Sequence, residues 1–240
     1  MSSPARPEPS ATVVILRDGL TGLEVLLLQR SARGEGGGGA WVFPGGRVEP
    51  GDHDAADPDP ALALQRSAVR ETREEAGLEL APASLISISR WITPELSPRR
   101  FDTWFYATHL SKARESNARE SQARGGVDAE VRVDGQEICG HRWIRPAEAL
   151  DASRRGEIRL APPTFVTTDW LVPHATAGEA LRALARAPFV TFRPRICRIP
   201  DGACMLYPGD AGYDEHDPER AGPRHRLWAL ADGMKYERSL

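Results

Sequence analysis

Cysteine is scarce in this 240-residue chain: only Cys139, Cys197 and Cys204, with no CxxC pair among them. So sparse and odd a set excludes a disulfide framework and a structural zinc site, and it suits a reducing cytoplasm. Long apolar runs are missing too. None approaches the ~18 residues that a bilayer crossing needs. The proline-rich start, residues 1–9, has no apolar segment long enough for a secretory leader. Arg238-Ser239-Leu240 places the basic residue before the serine, the wrong order for a peroxisomal address. Positive charge is not in excess. At a formal net charge of −3, no bulk field favours nucleic acid or an anionic membrane as partner. The histidines fall in no His-x-x-x-His spacing, and no serine or cysteine has a visible catalytic partner. What is left is an ordinary globular balance, in a length that suits one sizeable core.

Local patterns give an order of elements. Residues 12–17 are β-branched and apolar, and 23–29 form their hairpin partner. Residues 1–10 are expected to be loose. The Gly36-Gly37-Gly38-Gly39 run lacks the lysine and helix start of a phosphate loop, so a plain loop is expected there. Residues 41–43 suggest a strand stopped by Pro44-Gly45-Gly46, and 48–59 a loop. Asp59 can cap a helix that Pro60 opens and Gly77 closes. Its buried side is expected to hold Leu62, Leu64, Ala68, Val69, Thr72 and Ala76. Strands follow at 85–91, 101–108 and 137–144. The near-repeat at 113–122 has no apolar face and suggests a solvated insertion. Helices are expected at 146–150, 164–171 and 179–186, and strands at 190–192, 196–199, 203–207 and 225–230. That order is an α+β mixture rather than alternating βαβ units.

The helix expected at 60–76 is the most informative. Glu71, Glu74 and Glu75 lie within five residues and project from one side of it. Like charges at that spacing weaken a bare helix. A bound divalent cation reverses the penalty, because carboxylate oxygens suit Mg²⁺ or Mn²⁺. The expectation is a metal site that handles a phosphorylated substrate. Arg99 and Arg100 are candidates for its phosphates, since guanidinium grips phosphate in a bidentate way; the alternative is two solvent-facing arginines in a turn. Trp91, Phe101 and Trp104 suit either stacking on a base or the core.

Arg70-Glu71, Glu74-Glu75, Gly77 and Leu78, with Gly46 upstream, match the box Gly-x5-Glu-x7-Arg-Glu-U-x-Glu-Glu-x-Gly-U, where U is a bulky apolar residue. The chain therefore resembles the Nudix hydrolases. Asp52 stands where the first glutamate is expected, and Thr72 stands at a U position, its hydroxyl expected on the Ala68 carbonyl one turn back. Seventeen residues separate Asp52 from Arg70 instead of seven. A longer loop of that kind costs little entropy. The long insertion, the Trp41-Val42-Phe43-Pro44-Gly45-Gly46 stretch, Trp91-Ile92-Thr93-Pro94, residues 98–103 and Ala161-Pro162-Pro163-Thr164 resemble the branch that contains acyl-coenzyme A diphosphatases.

The resemblance covers roughly residues 10–160 as the Nudix domain and leaves 161–240 as a C-terminal extension packed on it. It implies an α/β/α sandwich around a mixed sheet, dependence on Mg²⁺ (Mn²⁺ as substitute), and cleavage of a diphosphate in a nucleoside derivative. By family position, Glu71 and Glu75 are the principal metal ligands, and Glu74 is a further ligand or the general base. Glu137, six residues before Trp143, is the other candidate base. Arg70 orients Glu71, and Asp52 acts through its neighbours. Gly45 and Gly46 let the backbone approach metal or phosphate. Coenzyme A or its acyl esters are the first substrate expected; ADP-ribose, a dinucleotide or a modified nucleoside triphosphate is the second. A silent ligand sensor is a third reading, against which the three box glutamates stand. A homodimer contact is one use for the segment after 160, and completion of the pocket is another.

Overall fold

The computed structural model describes residues 5–32, 38–95, 97–110 and 130–239; Gly36, Gly37 and the repeat at 113–122 lie outside the described residues. β1 (Glu8–Gly19) and β2 (Gly22–Arg30) form the expected hairpin. Alternation sorts their side chains. Ala11, Val13, Ile15, Leu26 and Leu28 point to one face, and Val14, Leu16, Leu23, Val25 and Leu27 to the other. Both faces are apolar, so both must be covered.

The sheet grows from this hairpin in both directions. β6 (Phe101–His109) runs parallel to β1, from Glu8↔Phe101 to Leu16↔His109. β5 (Ile86–Ile92) is antiparallel to β6, and β9 (Val190–Phe192) adds parallel to β5. On the other side, β3 (Ala40–Val42) and β7 (Ile138–Ile144) both pair with β2. β8 (Arg159–Leu160) lies parallel to β3, and β4 (Gly45–Arg47) pairs with β1. The result is a mixed nine-stranded sheet.

One face is covered by α1 (Pro60–Ala76), whose Leu64, Ala68 and Ala76 pack on Ala11, Val13 and Ile15. Its ends obey the sequence signals. Asp59 Oδ1 accepts from the Ala61 amide at 2.9 Å, and Gly77 takes the left-handed exit at φ 66°. The buried stripe is a quarter-turn from the one expected: Ser67 and Glu75 are inside, whereas Leu62 and Val69 are half-buried at its margins. Burying a glutamate is what a helix with a charged task does. The opposite face is covered by α2 (Pro146–Arg154), α3 (Pro162–Leu171) and α4 (Ala177–Arg186). Leu150, Phe165, Val166 and Leu181 meet Val14, Leu27, Trp91 and Phe105 there. This is the expected α/β/α sandwich.

A second sheet, an antiparallel meander, packs against the same helical side. It consists of β10 (Arg195–Ile199), β11 (Gly202–Leu206), β12 (Arg224–Leu230) and β13 (Gly233–Ser239). Tyr207 and Leu227 enter the core built by α2–α4. The excursion between β11 and β12 is tied down by Asp210. Its carboxylate accepts from Arg226 Nε (2.7 Å) and Nη2 (2.6 Å), the His225 amide (2.8 Å) and the Gly212 amide (2.9 Å). A buried ion pair of this kind persists because its oxygens and N–H groups are matched.

Two expectations need correction. β1 begins at Glu8, inside the stretch expected to be loose, because β6 pairs with it from the start and Arg100 Nη1 holds the Ala5 carbonyl at 2.8 Å. Gly45-Gly46 does not end strand structure but forms β4, where Gly45↔Thr12 and Gly46↔Ala11 bring two backbones close together. Among the described residues no helix is long and apolar enough to cross a membrane.

Candidate active site

The acidic end of α1 faces β4. Glu75 is 5% exposed, and its Oε2 accepts a hydrogen bond from the Gly45 amide at 2.8 Å. Burial pushes its carboxyl up to about 8, against the pull of that amide. The charges of Glu71 and Glu137 push it further, and that of Arg30 opposes them. Strand pairing brings Glu137 and Arg30 to this end of the sheet. The Ser31 amide donates to the Glu137 carbonyl at 2.7 Å, and Arg30 registers with Ile138 across a bulge between β2 and β7. Arg30 was not among the residues singled out from sequence, because its approach depends on that pairing.

Arg70 is the organiser of the other carboxylates. Its Nε and Nη2 donate to the two oxygens of Asp52, each at 3.1 Å. Nη2 also donates to the Arg47 carbonyl at 2.9 Å, on β4. Nη1 is shared between Glu71 Oε1 (3.0 Å) and Glu74 Oε2 (2.9 Å). Asp52, 4% exposed, is further fixed by the Glu49 amide at 2.8 Å. It therefore holds Arg70 rather than facing the cleft. These bonds raise the Arg70 guanidinium above its ordinary value, and the Asp52 bond is the largest cause. Burial raises the Glu71 carboxyl, with Arg70 pulling it down.

The two glycines make room for this arrangement. A Cβ on Gly46 would sit 2.2 Å from Glu71 Oε1, in the space of the carboxylate itself. A Cβ on Gly45 would sit 2.3 Å from the Ala11 carbonyl oxygen, and Gly45 has a φ of 153°. Thr72 meets its expectation: Oγ1 donates to the Ala68 carbonyl at 2.8 Å.

Among the described residues no three acidic, histidine or cysteine side chains close around one point as they stand. Glu71 and Glu74 are turned to Arg70, and Glu75 to Gly45. The donor chemistry nonetheless fits a hard divalent cation. Glu75 is a buried carboxylate, and Glu71 and Glu74 on the same helix bring further hard oxygen donors. A cation there would favour the charged carboxylate that burial disfavours.

The remaining candidates part company. Arg100 is buried, with Nε on the Thr93 carbonyl (3.2 Å) and Nη1 on Ala5; it fastens the start of β1 instead of presenting a guanidinium to solvent. Arg99 is exposed and lies over the Phe101 ring at 5.8 Å. Trp91 belongs to the core, stacked on Phe192 at 3.8 Å. Trp104 is half-buried between Arg90 and Phe189.

Comparison with known proteins follows the same lines. The NUDIX domain family model matches residues 6–164. The human acyl-coenzyme A diphosphatase NUDT19 is 31% identical over 183 residues, which cover 69% of this chain and 44% of the relative. The chicken protein of that name is 26% identical over 242 residues, covering 93% of this chain and 57% of the relative. The chain thus spans about half the length of the curated relatives it matches. A NUDIX hydrolase of Alicyclobacillus acidocaldarius superposes with a TM-score of 0.61 at 25% identity, over 77% of this chain and 99% of that one. A family match that runs from β1 through β8 and the acidic helix, and takes in more than half of the chain, settles the kinship: this protein belongs to the Nudix family.

Proposed function

We propose that the protein hydrolyses the diphosphate linkage of coenzyme A or an acyl-coenzyme A, giving 3′,5′-ADP and a 4′-phosphopantetheine, with Mg²⁺ held by Glu71, Glu74 and Glu75. The observation that carries the metal assignment is Glu75, a carboxylate only 5% exposed and fixed by the Gly45 amide at 2.8 Å, on the same helix as Glu71 and Glu74. The substrate rests on the likeness to proteins named acyl-coenzyme A diphosphatase. A divalent cation at these carboxylates, Mn²⁺ as well as Mg²⁺, would neutralise the diphosphate and lower the pKa of bound water.

The chain's own residues divide the rest of the work. Glu71 and Glu74, here bonded to Arg70 Nη1, would hold the cation together with Glu75, and Arg70 would keep its anchors on Asp52 and the Arg47 carbonyl. Gly45 keeps Glu75 in place, and Gly46 leaves the volume Glu71 needs. Glu137 takes the proton of the attacking water; Glu74 is the alternative base. Arg30, beside Glu75, and Arg99, on the turn before β6, meet the substrate's phosphates. Arg100 is committed to backbone carbonyls and takes no part. We place the reaction in the cytoplasm, on a small molecule, without nucleic acid or membrane.

The test is a substrate panel assayed with and without Mg²⁺, products identified by mass. Release of 3′,5′-ADP with a phosphopantetheine supports the proposal. AMP with ribose phosphate replaces the substrate but keeps the chemistry. Tight binding with no turnover on any substrate makes the protein a sensor and overturns the enzymatic reading.

A further inference from the structure

Cys197 in β10 and Cys204 in β11 stand directly opposite each other in antiparallel register, and both are free thiols. Opposed residues in such a pair share one face of the sheet. Here they share it with Leu206, Tyr213 and Trp228, in a small core that the reaction proposed above does not use. Opposed Cα atoms lie about 4.5–5.5 Å apart, inside the window of roughly 4.4–6.8 Å that a disulfide spans. Their Cβ atoms, at ~4.5–5.5 Å, need only a small closure toward the ~3.8 Å mean of a disulfide. β10 can supply it, because it is the outer strand of the meander, paired among the described residues with β11 alone.

From this geometry we infer that Cys197 and Cys204 are an oxidation site, closing a reversible cross-strand disulfide when a small-molecule disulfide such as oxidised glutathione accumulates. Cys197, 9% exposed, reacts first; Cys204 is 0% exposed. The Cys197 thiolate attacks one sulfur of oxidised glutathione, and one glutathione leaves. The Cys204 thiolate then attacks the Cys197 sulfur and displaces the bound glutathione. The two protein thiols give up two protons and two electrons, and one glutathione disulfide becomes two glutathiones. Burial raises both thiols, so the step is slow and answers sustained rather than brief oxidation. It also has a local cost. Cys197 Sγ donates to the His216 carbonyl at 3.3 Å, and bridging removes that donor from a non-glycine residue held at φ 55°.

The experiment incubates the full chain in graded ratios of oxidised to reduced glutathione, followed by thiol counting and a tryptic map. Cleavage after Arg195, Arg198 and Arg220 places Cys197 in peptide 196–198 and Cys204 in peptide 199–220. The expected result is those two peptides joined, loss of two of the three thiols into the bridge, and full recovery with dithiothreitol. Hydrogen exchange at 214–218 quickens in the bridged form. Cys197→Ser, at the sheet edge, abolishes the joined peptide. Wild-type protein whose two peptides stay separate at every ratio, or carry only glutathione, overturns the inference. The mapping is done on the unaltered chain, so misfolding of a variant cannot mimic either result.

Discussion

The Gly45 amide meets Glu75 Oε2 at 2.8 Å, and this contact opposes the burial that drives the Glu75 carboxyl up to about 8. Glu75→Gln keeps an oxygen for Gly45 but removes the charge that a cation would bind. Turnover is expected to fall on the order of 10³-fold, roughly 4 kcal/mol of barrier, with the fold intact by circular dichroism. Near wild-type Mg²⁺-dependent turnover would sink the assignment.

The same residue sets a pH dependence in metal-free protein. Its folded value lies above the ordinary 4.5, so folding takes up a proton between 4.5 and about 8. Stability is therefore fullest at the acid end of that interval and drains away as pH rises. Urea midpoints with chelator at pH 5.5 and 8.5 should show a loss on the order of 3 kcal/mol in wild type that Glu75→Gln largely removes. Saturating Mg²⁺ should shrink it too. A wild-type profile as flat as the variant's contradicts the burial argument.

Arg70→Ala strands Asp52, a buried carboxylate, with only the Glu49 amide. Breaking a buried pair this way costs about 3 kcal/mol, and activity should fall as Glu71 loses its orientation. Arg70→Lys restores charge but not the fork, so it should recover part of the stability and little of the rate. Equal stability of all three proteins in urea would refute the organiser role.

Gly46→Ala and Gly45→Ala separate site from scaffold. The first methyl displaces a flexible carboxylate, so activity should drop about 10²-fold while the melting temperature moves only a few degrees. The second meets the Ala11 carbonyl, so folding yield itself should collapse. Comparable melting temperatures for the two variants would show that this distinction fails.

His225 tilts the pH profile the opposite way. It is buried, with Nδ1 on the Pro208 carbonyl (2.7 Å) and, among the described residues, no partner for Nε2. Burial is the main cause that lowers its pKa; Arg238 adds to it, and Pro208 and Asp210 oppose. The unfolded chain therefore gains a proton first as pH falls below about 6.5, and stability declines on that side. His225→Phe, which suits neighbours Phe192, Tyr207 and Tyr236, should lessen the decline between pH 7 and pH 5 in thermal melts. An unchanged acid limb would show that His225 is not its source.

The sequence made α1 legible to the residue, because Asp59, Pro60 and Gly77 are local signals that act on the backbone next to them. The Arg70–Glu71 bond and the Thr72 back-bond were legible for the same reason, since both lie within a turn of helix. β13 was not, because Lys235, Glu237 and Arg238 dilute its alternation and Met234 and Tyr236, its two large apolar side chains, are no more than half-buried. β4 was hidden by its glycines, which usually punctuate and here permit contact. The meeting of Arg30, Glu137 and Glu75 could not be read from local spacing, because it exists only after β2 has paired with β7. Arg100 shows the converse: its guanidinium chemistry suggested phosphate, but its position beside β1 offered two carbonyls first.

The parallel register of β1 with β6 has a consequence for how the chain acquires its shape. Residues 8–16 find their parallel partner only at 101–109, and β5 gains its far neighbour only at 190–192. A ribosome would have delivered β1 well before residues 101–109 could settle beside it. Until then the strand has its hairpin with β2 and the three-residue β4, and a hairpin by itself is marginal in water. Such long-range closure is slow, so this protein should assemble late and all at once, and its emerging first strand is the segment most in need of shelter during synthesis.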